Sequence, residues 1–245
     1  MRLDQRLVSE GLCPSRERAQ ALILAGLVYS DTKRIAKAGD QLAIDAPLNI
    51  KGQDHPWVSR GGLKIAKALE AFDLPVGGCV AADIGASTGG FTDVLLHHGA
   101  KKVYAVDVGH GQLAWKLRQD PRVVVLEKTN ARHLGRDQIP DLLDAIVCDA
   151  SFIGLETVLP ASLALTGDRA WCAALIKPQF EVGPDRVGKG GVVRDPALHE
   201  EVCARIRNWF DNLPGWTVRG IVESPILGPE GNKEFLIVAS KGGLT

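Results

Sequence analysis

The chain is 245 residues long, 45% hydrophobic and 24% charged, and its 29 Lys/Arg balance its 29 Asp/Glu. That length holds one large α/β domain or a small module beside a medium one, and the composition excludes disordered and fibrous classes. No apolar run reaches the roughly 18 residues of a membrane span, and the charged start MRLDQRLVSEGL lacks the apolar core of a secretory signal. Five scattered cysteines (13, 79, 148, 172, 203) with no C-x-x-C argue against a structural zinc or a disulfide framework and fit a reducing, cytoplasmic location. Three of the five stand in apolar, strand-like runs, where a small core filler is expected. A net charge of zero ordinarily discourages a nucleic-acid reading, but residues 1–60 hold nine Lys/Arg against seven Asp/Glu.

Residues 1–50 read as a compact αα-β unit. DQRLVSEGL is a short helix ending at Gly11. SRERAQALILAG opens with Ser15 as N-cap and closes with Gly26, so its start and stop signals are in place. LVYSDTKRIAKAGDQLAI then reads as two short strands with a turn near Asp31-Thr32. The polar stretch KGQDHPWV, residues 51–58, is the expected linker, giving domains at 1–58 and 59–245.

From Gly61 the pattern alternates. A helix GLKIAKALEAF precedes strand CVAADIG and helix GFTDVLLHHG; strand KVYAVDV, helix GQLAWKLRQD and strand RVVVLEKT follow. Strand DAIVCDA leads through a helix over LETVLPASLAL to strand AWCAALIKP. A long helix PALHEEVCARIRNWFDNL feeds the strands GWTVRGIVES and EFLIVAS. Continuous apolar strands between helices imply a mostly parallel sheet covered on both faces. No helix separates the last two strands, so one of them is expected to be antiparallel.

Gly85-Ala86-Ser87-Thr88-Gly89 matches G-x-S-x-G, the nucleophile elbow of hydrolases. A hydrolase needs more strands ahead of its serine, an oxyanion loop and a later histidine. One convincing sheet strand precedes Ser87, and His199 lies in an amphipathic helix, where a solvated side chain is expected. The same turn serves equally as a cofactor loop between a first strand and helix. Asp107, 22 residues after Gly85 at the end of VYAVD, is then placed to bond ribose hydroxyls. Asp83 beside the turn would repel a pyrophosphate and suits a sulfonium cofactor, S-adenosylmethionine. A tight turn without a ligand remains the plain alternative. Gly183–Lys189, GPDRVGK, resembles a P-loop, but Gly190 replaces the Mg²⁺-binding Ser/Thr and Pro184 offers no N–H. A basic glycine-rich loop that contacts a polyanion is the sharper reading there.

In doubly wound sheets ligands sit beyond the carboxyl ends of the strands. Those ends carry Asp83, Asp107, Asn130, Asp149 and Lys177, with Glu234 opening the final strand and Lys64 on the helix before the first. Two lysines and two acids converging on one crevice suggest proton transfer. Burial and a second cation would both lower the pKa of Lys177, letting it take a proton from a weakly acidic hydroxyl. A snorkelling lysine at a strand end is the bland alternative. No His/Cys cluster offers a metal site.

These residues together resemble the TlyA-type (haemolysin A family) ribosomal RNA 2′-O-methyltransferases across essentially the whole chain. RLDQRLVSEGLCPSRERAQALILAGLVYSD resembles an S4 RNA-binding module. WVSRGGLK, DIGASTGGFTDVLL, VDVGHGQLAWKLR, EKTNAR, KPQFEVG, GGVVRDP and SPILGPEGNKEF match the family's segments in order. The resemblance implies a Rossmann-like, FtsJ-type S-adenosylmethionine-dependent methyltransferase fold, with a seven-stranded, mostly parallel sheet and an antiparallel last strand, behind a small α+β S4-like domain. It also implies a catalytic Lys-Asp-Lys-Glu tetrad at Lys64, Asp149, Lys177 and Glu234. S-adenosylmethionine would be held by Asp83, Gly85, Ala86, Ser87, Gly89, Gly90, Phe91, Asp107, Asn130 and Asp149. Ribosomal RNA, naked or in a subunit, would be held by Arg2, Arg6, Arg16, Arg18, Lys33, Arg34 and Arg60. The implied product is a 2′-O-methylated cytidine. The chain begins directly with the S4-like unit, which resembles the shorter of two family variants and implies large-subunit RNA; a monomer is expected. The turn Ser30-Asp31-Thr32 departs from the Asn/Asp-Gly usual in S4 modules, and His55-Pro56-Trp57-Val58 stands where some members carry Arg ahead of Ala-Trp-Val. The alternatives are a non-catalytic RNA-binding assembly factor on the same fold and a haemolysin; the second lacks an apolar span or a basic amphipathic helix.

Overall fold

Ser15 Oγ accepts the Arg18 N–H at 3.2 Å and so caps the second helix, as its place ahead of SRERAQ implies. The computed structural model describes residues 2–10, 12, 13, 15–24, 26–30, 33–35, 37–40, 42, 43, 46–50 and 55–243. They form two units, Met1–Pro56 and Trp57–Thr245. In the first, α1 (Leu3–Ser9) and α2 (Arg16–Leu24) pack through Leu3, Leu7, Ala19, Leu22 and Ile23 onto Val28 and Ile35. The strands β1 (Val28–Ser30), β2 (Lys33–Arg34) and β3 (Asn49–Ile50) make a small antiparallel sheet in the order β2-β1-β3. Sequence reading expects two strands there; β3 is too short for its alternation to show. The turn expected at Asp31-Thr32 lies outside the described residues.

The second unit opens with α3 (Gly61–Phe72) and then alternates β4 (Val80–Ile84), α4 (Gly90–His97), β5 (Lys102–Val106), α5 (Trp115–Arg118) and β6 (Val123–Leu126). After β7 (Leu143–Cys148) come α6 (Leu155–Val158), α7 (Pro160–Leu163), β8 (Thr166–Ile176), α8 (Pro178–Glu181), α9 (Pro196–Asp211), β9 (Trp216–Glu223) and β10 (Phe235–Lys241). One sheet runs β6-β5-β4-β7-β8-β10-β9, parallel except for β10, which is antiparallel to both its neighbours. Consecutive strand residues serve opposite faces: Ala81, Ala145 and Ala173 pack under α3 and α4, while Ala82, Ile146 and Ala174 pack with α6, α7 and α9. The strands therefore read as unbroken apolar runs, because both faces are covered.

Local chemistry explains where the structure departs from expectation. Pro160 cannot continue a helix at its interior and instead opens α7, so the helix expected over 155–165 becomes two short ones. The expected helix over 111–120 shrinks to one turn. His199 is buried, not solvated: its Nε2 bonds the Val193 carbonyl at 2.9 Å and its ring packs on Phe235. Cys148 and Cys172 are core fillers as expected, but Cys79 lies just before β4 and is only partly covered.

Candidate active site

The turn between β4 and α4 is built from positive φ angles: Gly85 at +81°, Ser87 at +48° and Gly89 at +91°. A Cβ on Gly85 would come within 3.0 Å of the Ala150 and Asp149 backbone, so glycine lets the turn lie against the end of β7. Ser87 is exposed on the turn and its N–H donates to Asp107 Oδ2 at 2.8 Å, while Asp107 Oδ1 takes the Gly109 N–H at 2.7 Å. Each carboxylate oxygen keeps a lone pair for a hydroxyl. Ala86 and Gly89 are buried in the body of the turn.

Several residues expected to hold a cofactor are placed otherwise. Asp83 is fully buried beneath the turn, where its Oδ2 accepts both the Thr92 N–H (2.9 Å) and the Thr92 hydroxyl (2.7 Å). It fastens α4 to β4. Burial lifts its carboxyl to about 7, against the pull of the Thr92 hydrogen bonds. Phe91 is 3% exposed and belongs to the core, and Gly90 is buried where a side chain would meet Ser59 and Gly62. Asn130 Oδ1 caps the 3₁₀ turn Ala131–His133 by accepting the Arg132 N–H.

Three residues at the strand ends and Lys64 of α3 form one chain of ion pairs. Glu234 Oε2 lies 2.7 Å from Lys64 Nζ, which lies 3.4 Å from Asp149 Oδ2; Asp149 Oδ1 lies 2.6 Å from Lys177 Nζ. Lys177 also donates to the Asp149 carbonyl at 3.3 Å and to Ser151 Oγ at 2.9 Å. Side-chain exposure falls from 20% at Asp149 to 9% and 7% at Lys64 and Lys177 and to zero at Glu234. Two cations and two anions cancel, which makes so buried a cluster tolerable. The topology assembles it. Asp149 and Lys177 end the parallel strands β7 and β8, and the antiparallel β10 pairs Phe235 with Ile176, bringing the residue before it, Glu234, to the same edge. Lys64 enters from the first turn of α3.

Ser151 and Phe152 also belong to this edge, and sequence reading misses both because SFIGLE reads as the way into a core helix. Phe152 is 89% exposed with φ at +63°, its ring 4.9 Å from that of Phe180. A non-glycine residue held there costs on the order of 1–3 kcal/mol and persists only where its surroundings fix it. Among the described residues no group of three His/Cys/Asp/Glu could hold a metal, and no helix is long and apolar enough to cross a membrane.

Comparison with known proteins bears on this geometry. Residues 57–241 match the FtsJ-like methyltransferase family, and residues 1–45 match the S4 domain. The chain belongs to the FtsJ-like methyltransferase family. It is 47% identical over 237 residues to the 16S/23S rRNA (cytidine-2′-O)-methyltransferase TlyA of Mycobacterium tuberculosis, covering 96% of this chain and 88% of that protein. It is 42% identical over 241 residues to Hemolysin A of Brachyspira hyodysenteriae, covering 96% and 98%. A solved structure from Streptococcus thermophilus, described as a candidate hemolysin, superposes with a TM-score of 0.77 at 43% identity, covering 98% of this chain and 88% of that one.

In the S4 domain that precedes the FtsJ-like unit, the expected RNA-binding cations divide. Lys33 and Arg34 are exposed on β2, and Arg18 is half-buried. Arg2 and Arg16 are half-exposed and share Asp4 as an ion-pair partner. Arg6 is the correction: only 8% exposed, it donates Nη1 to the Ala43 carbonyl (2.7 Å) and Nη2 to the Ala46 carbonyl (2.6 Å) and pairs with Glu10. It ties α1 to Ala43 and Ala46, a structural task rather than a phosphate contact. In the FtsJ-like unit Arg60 is exposed at the head of α3.

Proposed function

We propose that the chain transfers a methyl group from S-adenosylmethionine to the ribose 2′-hydroxyl of a cytidine in ribosomal RNA, in the cytoplasm where that RNA resides. The observation that carries the reading is the Glu234–Lys64–Asp149–Lys177 chain of ion pairs at the strand ends beside the Gly85–Gly89 turn.

The residues around the turn fit such a cofactor. Asp107 offers acceptors for ribose hydroxyls, the turn presents exposed Ser87 and Thr88, and the part-exposed Asp149 carboxylate suits a neighbouring sulfonium. When bound, S-adenosylmethionine supplies a methyl carbon activated by that sulfonium. The chain's own residues then manage a proton. Lys177 Nζ would act as the base that takes the proton of the 2′-hydroxyl as that oxygen is methylated. The Asp149 carbonyl and Ser151 Oγ aim the Lys177 nitrogen by two hydrogen bonds, the Asp149 carboxylate pairs with it, and Lys64 with Glu234 holds that carboxylate. Near-neutral balance in the cluster keeps the ionic groups preorganised at low water content.

The S4 domain supplies phosphate contacts through Arg2, Arg16, Arg18, Lys33 and Arg34, which position the RNA without reading its sequence. Target choice rests on RNA shape and on splaying the cytidine out. Phe152, an exposed ring at the reacting edge, provides a face for that base. In full-length protein Lys177→Ala should keep calorimetric S-adenosylmethionine affinity and lose about 10²–10⁴-fold in transfer of labelled methyl to ribosomal RNA. Mass spectrometry of the native product should place the methyl on one cytidine ribose. Transfer at the native rate by Lys177→Ala refutes the assignment.

A further inference from the structure

Glu181 closes α8, the single helical turn that follows Lys177. Its side chain is 3% exposed, and both its oxygens are engaged. Oε1 accepts the Leu155 N–H at 2.8 Å, and Oε2 lies 2.6 Å from Arg205 Nη2. Arg205, from α9, also donates to the Glu181 carbonyl at 3.1 Å and pairs with Glu156 of α6. One carboxylate thus joins the turn after β8, the head of α6 and the middle of α9.

The amide it takes up is one that a helix start leaves without an intrahelical partner. Gly154, the residue ahead of α6, has no side chain to cap it. A Cβ on Gly154 would stand 3.2 Å from Glu181 Oε2, so the glycine also gives the carboxylate room to reach. The segment held in this way, 149–154, carries the reacting edge. At one end Asp149 and Ser151 meet Lys177; at the other Leu155 meets Glu181. Between them Phe152 keeps a left-handed backbone that its own preferences oppose, with Phe180 of the same α8 turn beneath its ring.

We propose that Glu181 is a positioning residue: by gripping the Leu155 N–H it holds the 149–154 segment so that Asp149 meets Lys177 and Phe152 faces the substrate base. The inference rests on the methyl-transfer reading and adds a residue to it that touches neither substrate nor cofactor. A displacement near 1 Å at a reacting edge can cost about 10²-fold in rate.

The test uses full-length Glu181→Ala, Glu181→Gln and Lys177→Ala, with steady-state transfer to ribosomal RNA, calorimetric S-adenosylmethionine affinity and thermal melting. Glu181→Ala should lower kcat by about 10- to 100-fold and raise the KM for RNA several-fold, with cofactor affinity within about twofold of native. Glu181→Gln keeps a carbonyl oxygen for the Leu155 N–H and should recover kcat to within about fivefold of native. Native kcat in Glu181→Ala overturns the proposal, as does equal impairment of both variants or a loss of transfer matched by loss of cofactor binding. Should Glu181→Ala not fold, Gly154→Ala, whose backbone stays in an ordinary extended conformation, crowds the same carboxylate. It must then lower kcat at least about threefold with cofactor binding kept; a native kcat overturns the proposal. Lys177→Ala separates the two readings. Native transfer by that variant defeats the assignment of the site itself, whereas a dead Lys177→Ala beside a fully active Glu181→Ala defeats only the positioning role.

Discussion

Replacing Asp83 with Asn tests the energetics beneath the Gly85–Gly89 turn. The carboxyl is completely buried, and burial lifts it from an ordinary 3.8 to about 7, with the charges of Asp149 and Asp107 adding to the rise. Between those values the folded chain keeps a proton that the unfolded chain has released, so stability must fall as pH rises. The contribution is fully present below pH 3.8 and lost by about pH 7. About three pH decades at 1.36 kcal/mol each give a decline on the order of 4 kcal/mol. Asparagine mimics the protonated acid: its carbonyl oxygen can take both Thr92 hydrogen bonds, and its amide replaces Oδ1, which finds no partner. Denaturant unfolding of native protein and Asp83→Asn at pH 4 to 8 should show native protein losing about 4 kcal/mol relative to the variant across that range. A difference constant to within about 1 kcal/mol would show that Asp83 stays ionised when folded and refute the burial argument.

Beyond the Lys177 and Glu181 variants, two further outcomes are expected. Arg6→Met should destabilise the S4 domain by about 2–4 kcal/mol in thermal or denaturant unfolding, because it strands the Ala43 and Ala46 carbonyls and the Glu10 carboxylate. The salt dependence of RNA binding by the folded variant should stay native; a slope lower by about one would restore Arg6 as a phosphate contact. Phe152→Ala should raise the KM for RNA by about tenfold, the loss of one base stack, with calorimetric cofactor affinity unchanged. An unchanged KM would remove the stacking role.

Much of the site was legible because its chemistry falls where strands end. Asp149, Lys177 and Glu234 each flank an apolar run, and a parallel sheet collects such ends at one edge whatever the loops between them do. The turn between β4 and α4 announced itself through small residues. Its flanks did not: Asp83, Gly90 and Phe91 share the motif with Gly85 and Ser87, but β4 and α4 turn them inward, onto Thr92, Ser59 and the core. Arg6 misled for a related reason. A cation in a basic N-terminal segment reads as a phosphate contact until the carbonyls that receive it, 37 and 40 residues away, are known. His199 hid likewise, since its partner Val193 belongs to a loop with no periodicity to read.

The sequence by itself determined the alternation of helix and strand, the division into two units, the small-residue turn and the identity of the four ionic side chains. These rest on local rules: period-2 and period-3.6 burial, capping, and the tolerance of glycine for left-handed backbone. Tertiary structure alone decided which oxygen meets which nitrogen. It inserted β10 backwards between β8 and β9, carried Glu234 to Lys64 across 170 residues of chain, and left Phe152 facing outward in a backbone it disfavours. Contacts between residues so distant in sequence depend on the packing of every element between them, and no local pattern encodes that sum.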